Sequence, residues 1–113
     1  MRLLLVAAGL ALLVGCSGNR CERIEDDAKA FVLDVVDEDQ SCTQDSDCAV
    51  VAINGSCYDV CTRVVAVANV AAVEAANDEA DREICGDFSL CTTIRPPCAA
   101  PAAPVCNDDG QCE

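Results

Sequence analysis

Eleven cysteines in a chain of 113 residues constrain this sequence more than any other feature. Ten of them are spread from residue 21 to residue 112: Cys21, Cys42, Cys48, Cys57, Cys61, Cys85, Cys91, Cys98, Cys106 and Cys112. The eleventh, Cys16, stands apart, at the point where an apolar run stops. Setting Cys16 aside leaves an even number, which up to five disulfides can consume without a spare thiol, although spacing alone does not give their connectivity. Metal binding is the competing use for so many sulfurs. A zinc site needs four converging ligands, usually from paired knuckles. This chain has no histidine and no Cys-x2-Cys, its shortest spacing being Cys57-x3-Cys61. The expectation is therefore disulfides, with no metal and no cofactor.

The N-terminus decides the compartment. Met1-Arg2 carries one positive charge, and Leu3 to Val14 is apolar, broken only by Gly9. That is the pattern of an export signal, too short to span a bilayer as a helix. An exported chain meets an oxidising environment, where disulfides form and persist. Leu13-Val14-Gly15-Cys16 resembles the lipobox of bacterial lipoproteins. The resemblance implies that the Cys16 sulfur receives a diacylglycerol, that a peptidase cuts before Cys16, and that the new amine is acylated. The other reading is an ordinary cleaved signal with Cys16 as one more disulfide cysteine. The lipobox reading divides the chain into a lipoprotein signal peptide at 1–15, a lipidated tether at 16–20 and a disulfide-stapled domain at 21–113. The partner at the membrane would be the lipid bilayer itself, through acyl chains on Cys16. Each buried methylene contributes about 0.8 kcal/mol, and one chain binds only marginally, so lasting attachment takes two or more. Ser17 follows the cysteine where an inner-membrane retention signal would resemble Asp, so the resemblance leans towards the outer membrane. The short tether Ser17-Gly18-Asn19-Arg20 spans at most about 14 Å.

Charge narrows the partners. Loss of Arg2 leaves 6 basic against 20 acidic side chains, a net of about −14. Binding a phosphate backbone requires clustered Lys and Arg, so nucleic acid is not an expected partner. With only Phe31, Phe88 and Tyr58 as aromatics, the core must come from Val, Ala, Ile and cystine, which bury little area per residue.

Periodicity predicts an α+β domain. Glu22 to Asp39 reads as an amphipathic helix with Ile24, Ala28, Phe31, Val32, Val35 and Val36 on one face. Asp37-Glu38-Asp39 sit at the end that the helix dipole makes unfavourable for anions, which predicts fraying. Cys42 to Cys48 is polar loop, and Cys48 to Ile53 is an apolar, β-branched strand ending in the turn residues Asn54-Gly55-Ser56. Residues 62–69 form a second β-branched run, the competing reading being one long helix from 62. Asn69 is placed to cap a helix from Val70 to about Glu83, with Val73, Ala76, Ala80 and Ile84 on its inner face. The segment "RPPCAAPAAP" disfavours regular structure. Asn107-Asp108-Asp109-Gly110 marks a terminal hairpin. The hairpin is expected to extend the sheet beside Cys48–Ile53, with Cys48 bonded to Cys106 or Cys112 and the helices covering one face. The span from Asp45-Ser46-Asp47-Cys48 to Cys106-x5-Cys112-Glu113 resembles small cysteine-rich lipoproteins of Gram-negative bacteria. That implies a crosslinked envelope domain and no particular activity.

Catalytic chemistry has little to work with. Without histidine there is no Ser-His or Cys-His arrangement, and Lys29 is the single lysine. Asp45-x-Asp47 and Asp108-Asp109-Gly110 do not continue into a calcium loop and read more simply as turn formers. The chain is expected not to be an enzyme but a binding or structural module of the cell envelope, its protein partner unspecified. One stretch is sharper. "CTTIRPPC", Cys91 to Cys98, resembles the reactive loop of Bowman–Birk protease inhibitors. The resemblance implies a small disulfide ring presenting Thr93, Ile94 and Arg95, with Thr93-Ile94 as the scissile bond. It departs from that family in being one residue short and in lacking the serine after the scissile bond. A proline-stiffened surface loop is the plainer reading.

Overall fold

The computed structural model describes residues 19–87, 91, 95 and 97–113. The chain is a small α+β domain. Helix α1 (Arg20–Glu38) is followed by strand β1 (Cys48–Asn54), strand β2 (Asp59–Ala66) and helix α2 (Val70–Glu79). The strands form a two-stranded antiparallel sheet in which Cys48 faces Ala66 and Ile53 faces Cys61. Helix α2 runs on through a π-helical turn, Ala80–Ile84, into a short 3-10 turn, Cys85–Asp87. Among the described residues no helix is long and apolar enough to cross a membrane.

Helix α1 begins where Asn19 supplies an N-cap, its Oδ1 accepting from the Cys21 N–H at 2.9 Å. Such a cap satisfies one of the N–H groups that a helix start leaves without partners. Ala28, Val32 and Val36 are the buried positions on its inner face. Phe31, expected on that face, is instead 37% exposed. It is one position short of the four-residue steps that bury Ala28, Val32 and Val36. Helix α1 runs to Glu38, within the acidic end, and Asn69 lies against the carbonyls there. That residue is buried, and its Nδ2 lies 2.8 Å from the Val35 carbonyl, 3.5 Å from that of Val36 and 3.4 Å from that of Asp39. A single amide thus serves the carbonyls that end α1. The expected role of Asn69 is corrected accordingly: it stands before α2 but makes no side-chain bond to it.

The two sheet faces are covered differently. Val51, Ile53 and Val65 pack with Ala28, Val32, Val36, Val73, Tyr58 and Ala80 in the main core. Each of these aliphatic side chains larger than alanine contributes about 1.5–3 kcal/mol when fully buried. The opposite side holds a smaller cluster of Cys48, Ala66 and Cys112, with Cys42, Val64 and Cys106 packed on it. The terminal hairpin is present: Val105 and Glu113 exchange backbone hydrogen bonds, Asn107 N donates to Gln111 O at 2.8 Å, and Cys106 faces Cys112. Its turn uses Gly110 at φ +73°, a conformation glycine adopts without steric cost. The expected pairing with β1 is corrected. The hairpin bonds instead to the segment after α1, through Cys112 N to Gln40 O at 2.8 Å and Cys42 N to Gly110 O at 2.9 Å.

Five disulfides join all ten cysteines from 21 onward: Cys21–Cys91, Cys42–Cys106, Cys48–Cys112, Cys57–Cys85 and Cys61–Cys98. Of the two partners expected for Cys48, Cys112 is the one used. The bond to Cys98 leaves from an unusual place, because Cys61 has φ +67°. The register shifts there, so that Asn54 faces Asp59 and β2 carries one extra residue, a bulge.

Candidate functional site

Three arrangements of side chains carry chemistry or shape. The first is a latch on the β1–β2 turn. Asp81, in the π-helical turn, accepts from Ser56 N at 2.6 Å and from Ser56 Oγ at 2.7 Å. These bonds, with a smaller attraction from Arg95, hold the Asp81 carboxyl below its ordinary value. Tyr58, fully buried, donates its hydroxyl to Asn77, with Oδ1 at 2.7 Å and the backbone carbonyl at 3.1 Å. Asn77 Nδ2 in turn donates to Asn54 O at 3.0 Å. Burial, reinforced by the negative charges of Asp81 and Asp78, pushes the Tyr58 phenol up to about 12. Gly55 closes the arrangement, because a Cβ there would lie 2.7 Å from the Tyr58 ring and 3.0 Å from Asp81 Oδ1.

Arg95 joins the same turn from the far side, with Nη2 donating to Gly55 O at 2.5 Å and Nη1 3.9 Å from Asp59 Oδ2. Its guanidinium is thus turned back onto the domain. Cys91 is bonded to Cys21 and Cys98 to Cys61. The eight-residue ring expected from the inhibitor resemblance is therefore not closed, and that expectation is corrected: neighbours in sequence are not partners here. Thr93 and Ile94, like Cys16 and the expected signal peptide at 1–15, lie outside the described residues.

The second arrangement is a groove of about 440 Å³ on the sheet face away from the helices. Val50, Val64 and Thr62 form its floor, and Val50 and Val64 are register partners. The Pro101–Ala103 strap and Val105 form its wall, with Arg63 and Glu113 at the rim. Its volume is in the range of small-ligand clefts. Nothing in the spacing of these residues revealed it, because the strap has no periodicity to place it over the sheet.

The third is a gathering of sulfur. The Sγ atoms of Cys42, Cys48 and Cys112 all lie within 4.8 Å of one another, and Cys61 and Cys98 share a similar grouping with an Asp59 oxygen. Metals take thiolates, and every one of these sulfurs is engaged in a disulfide. The polar loop nearby is held by its own side chains. Asp47 Oδ2 accepts from Thr43 N, Thr43 Oγ1 and Gln44 N, and Asp45 Oδ1 accepts from Cys106 N at 2.8 Å. The bonds from the Thr43 backbone and hydroxyl hold Asp47 below its ordinary pKa, and those from Ser41 do the same for Asp39. The chain matches no family model, no curated protein and no solved structure.

Proposed function

We propose that this is a lipid-anchored, cysteine-rich protein of the bacterial cell envelope, acting there as a non-catalytic binding or structural module. The observation that carries the reading is the complete pairing of the ten cysteines from 21 onward. That pairing leaves Cys16, the residue at the lipobox position, without a partner in the domain and available to an acyl chain. Asn19 and Cys21 already belong to the start of α1. An anchor at Cys16 would therefore hold the domain close to the membrane surface, outer rather than inner by the Ser17 criterion.

Intact mass of the protein extracted from membranes tests the reading. The expected species begins at Cys16, carries diacylglycerol and an N-acyl chain, and contains no free thiol. Cys16→Ala is expected to move the protein into the soluble fraction. A mature chain that starts at an unmodified residue other than Cys16 would overturn the anchor.

A further inference from the structure

We infer that Cys42, Cys48, Cys106 and Cys112 form a disulfide-exchange site, at which an incoming thiolate swaps two bridges for two others and releases the terminal hairpin. The inference rests on the bridges alone and does not depend on the lipid anchor. Two neighbouring disulfides, Cys42–Cys106 and Cys48–Cys112, tie the hairpin to the rest of the domain. Their sulfurs are not insulated from one another, because Cys42 Sγ lies within 4.8 Å of both Cys48 Sγ and Cys112 Sγ. The alternative partners are also in place on the other side. Cys106 and Cys112 face each other across the hairpin, between the hydrogen-bonded positions 105/113 and 107/111. A facing pair of that kind has its Cα atoms about 4.5 Å apart, at the short end of the range a disulfide spans.

Access sets the order of events. Cys106 is half-buried, whereas Cys42, Cys48 and Cys112 are buried where their sulfurs gather. A thiolate from outside, such as a small-molecule thiol or a Cys-x-x-Cys oxidoreductase, attacks Cys106 Sγ and expels the Cys42 thiolate. The Cys42 thiolate attacks the neighbouring Cys48 Sγ, forming Cys42–Cys48 and expelling the Cys112 thiolate. The Cys112 thiolate attacks Cys106 Sγ of the mixed disulfide, forming Cys106–Cys112 and returning the original thiolate. Two disulfides enter and two leave, the thiol is regenerated, and no oxidant is consumed; each step is the ordinary thiolate-on-disulfide displacement.

The exchange has a structural consequence. After it, both bridges that tied the hairpin are gone, and the hairpin is closed on itself by Cys106–Cys112. Val105 and Glu113, which border the groove on the sheet, belong to that hairpin. Exchange therefore opens one side of the groove while the main core, held by Cys57–Cys85, keeps its packing.

The test incubates the oxidised full-length protein with substoichiometric reduced glutathione, blocks free thiols, digests on the N-terminal side of aspartates and maps the linked peptides. In the starting protein, peptide 39–44 is held in one assembly with 87–107, 59–77 and the peptide that carries Cys21, and 109–113 in another with 47–58 and 81–86. The expected product moves 39–44 into the assembly of 47–58 and 81–86, and 109–113 into that of 87–107, the other links staying as they were. It forms without net loss of disulfide and at least ~10-fold faster than any change at the buried Cys57–Cys85 bridge. The double variant C42S/C106S is expected to leave Cys48–Cys112 intact under the same treatment. Persistence of the original links alone, accumulation of free thiols without the new links, or equal scrambling of all ten cysteines would each overturn the inference.

Discussion

The two faces of the sheet are organised by different forces. On the helix side, Val32, Val36, Val51, Ile53, Val65 and Val73 are buried against one another and around the single bridge Cys57–Cys85, and most of the buried surface is aliphatic. On the hairpin side the buried set is Cys48, Ala66 and Cys112, two of which are the halves of one bridge. There, covalent links do what packing does on the other face. A chain short of large apolar side chains can complete one core, and it staples the remainder.

That contrast is broken or sharpened most strongly by removing bridges. Full reduction of the five disulfides deletes roughly 2–4 kcal/mol for each, a sum comparable to the whole stability of a small domain. The helical circular dichroism signal is expected to collapse. Replacing only Cys42, Cys106, Cys48 and Cys112 with serine is expected to act locally. The amides at positions 105, 112 and 113 lose their hydrogen-exchange protection while those of α1 keep theirs. Equal loss on both sides would show that the faces are not separable.

A smaller effect is expected at Asn69, the polar residue buried on the packed side. Asn69→Ala leaves the carbonyls of Val35, Val36 and Asp39 without this donor. The expected loss is about 1–3 kcal/mol, read from the midpoint of chemical denaturation. Asn69→Asp should lose more, because it sets an anion at the negative end of α1. An unchanged midpoint for both variants would remove Asn69 from the account of why α1 holds to Glu38.

An effect of similar size, confined to alkaline solution, is one of pH. The Tyr58 phenol is raised to about 12 by burial and by Asp81 and Asp78, against about 10 in an unfolded chain. Between those values the unfolded state has released a proton that the folded state keeps, so stability falls as pH rises. The contribution is complete below about pH 10, and about 2–3 kcal/mol is lost as pH climbs through 12. Asp81 runs the other way: its support is present at neutral pH and fades as acid reaches its lowered pKa. Tyr58 is the single tyrosine and there is no tryptophan, so phenolate absorbance reports this group alone. A midpoint near 10 in the oxidised protein would contradict the burial, and Tyr58→Phe is expected to abolish the alkaline loss.

Much of the layout was legible in the residues. The four-step spacing of Ala28, Val32 and Val36 gave α1, the β-branched run at Cys48–Ile53 gave β1, and Asn107 to Gly110 gave the hairpin turn. These are local patterns, and local patterns follow from the repeat of the backbone. What escaped was long-range. Asn69 looks like a cap for the helix beside it, but its acceptors lie 30 to 34 residues away. The hairpin's partner, Gln40 to Cys42, has no alternation to announce it. Cys91 and Cys98 are near in sequence but bond residues 70 and 37 positions distant. The groove exists only once the proline-containing strap is laid over Val50 and Val64.

Cys61 combines two demands at one position. Its left-handed backbone is of the kind that glycine suits best, while its sulfur must reach Cys98. No other amino acid satisfies both, since glycine would relax the chain and cut the link, whereas serine would cut the link and keep the strain. The two ends of that bridge are thus unequal: loss at Cys98 cuts the link and leaves residue 61 strained, whereas Cys61→Gly gives up link and strain together.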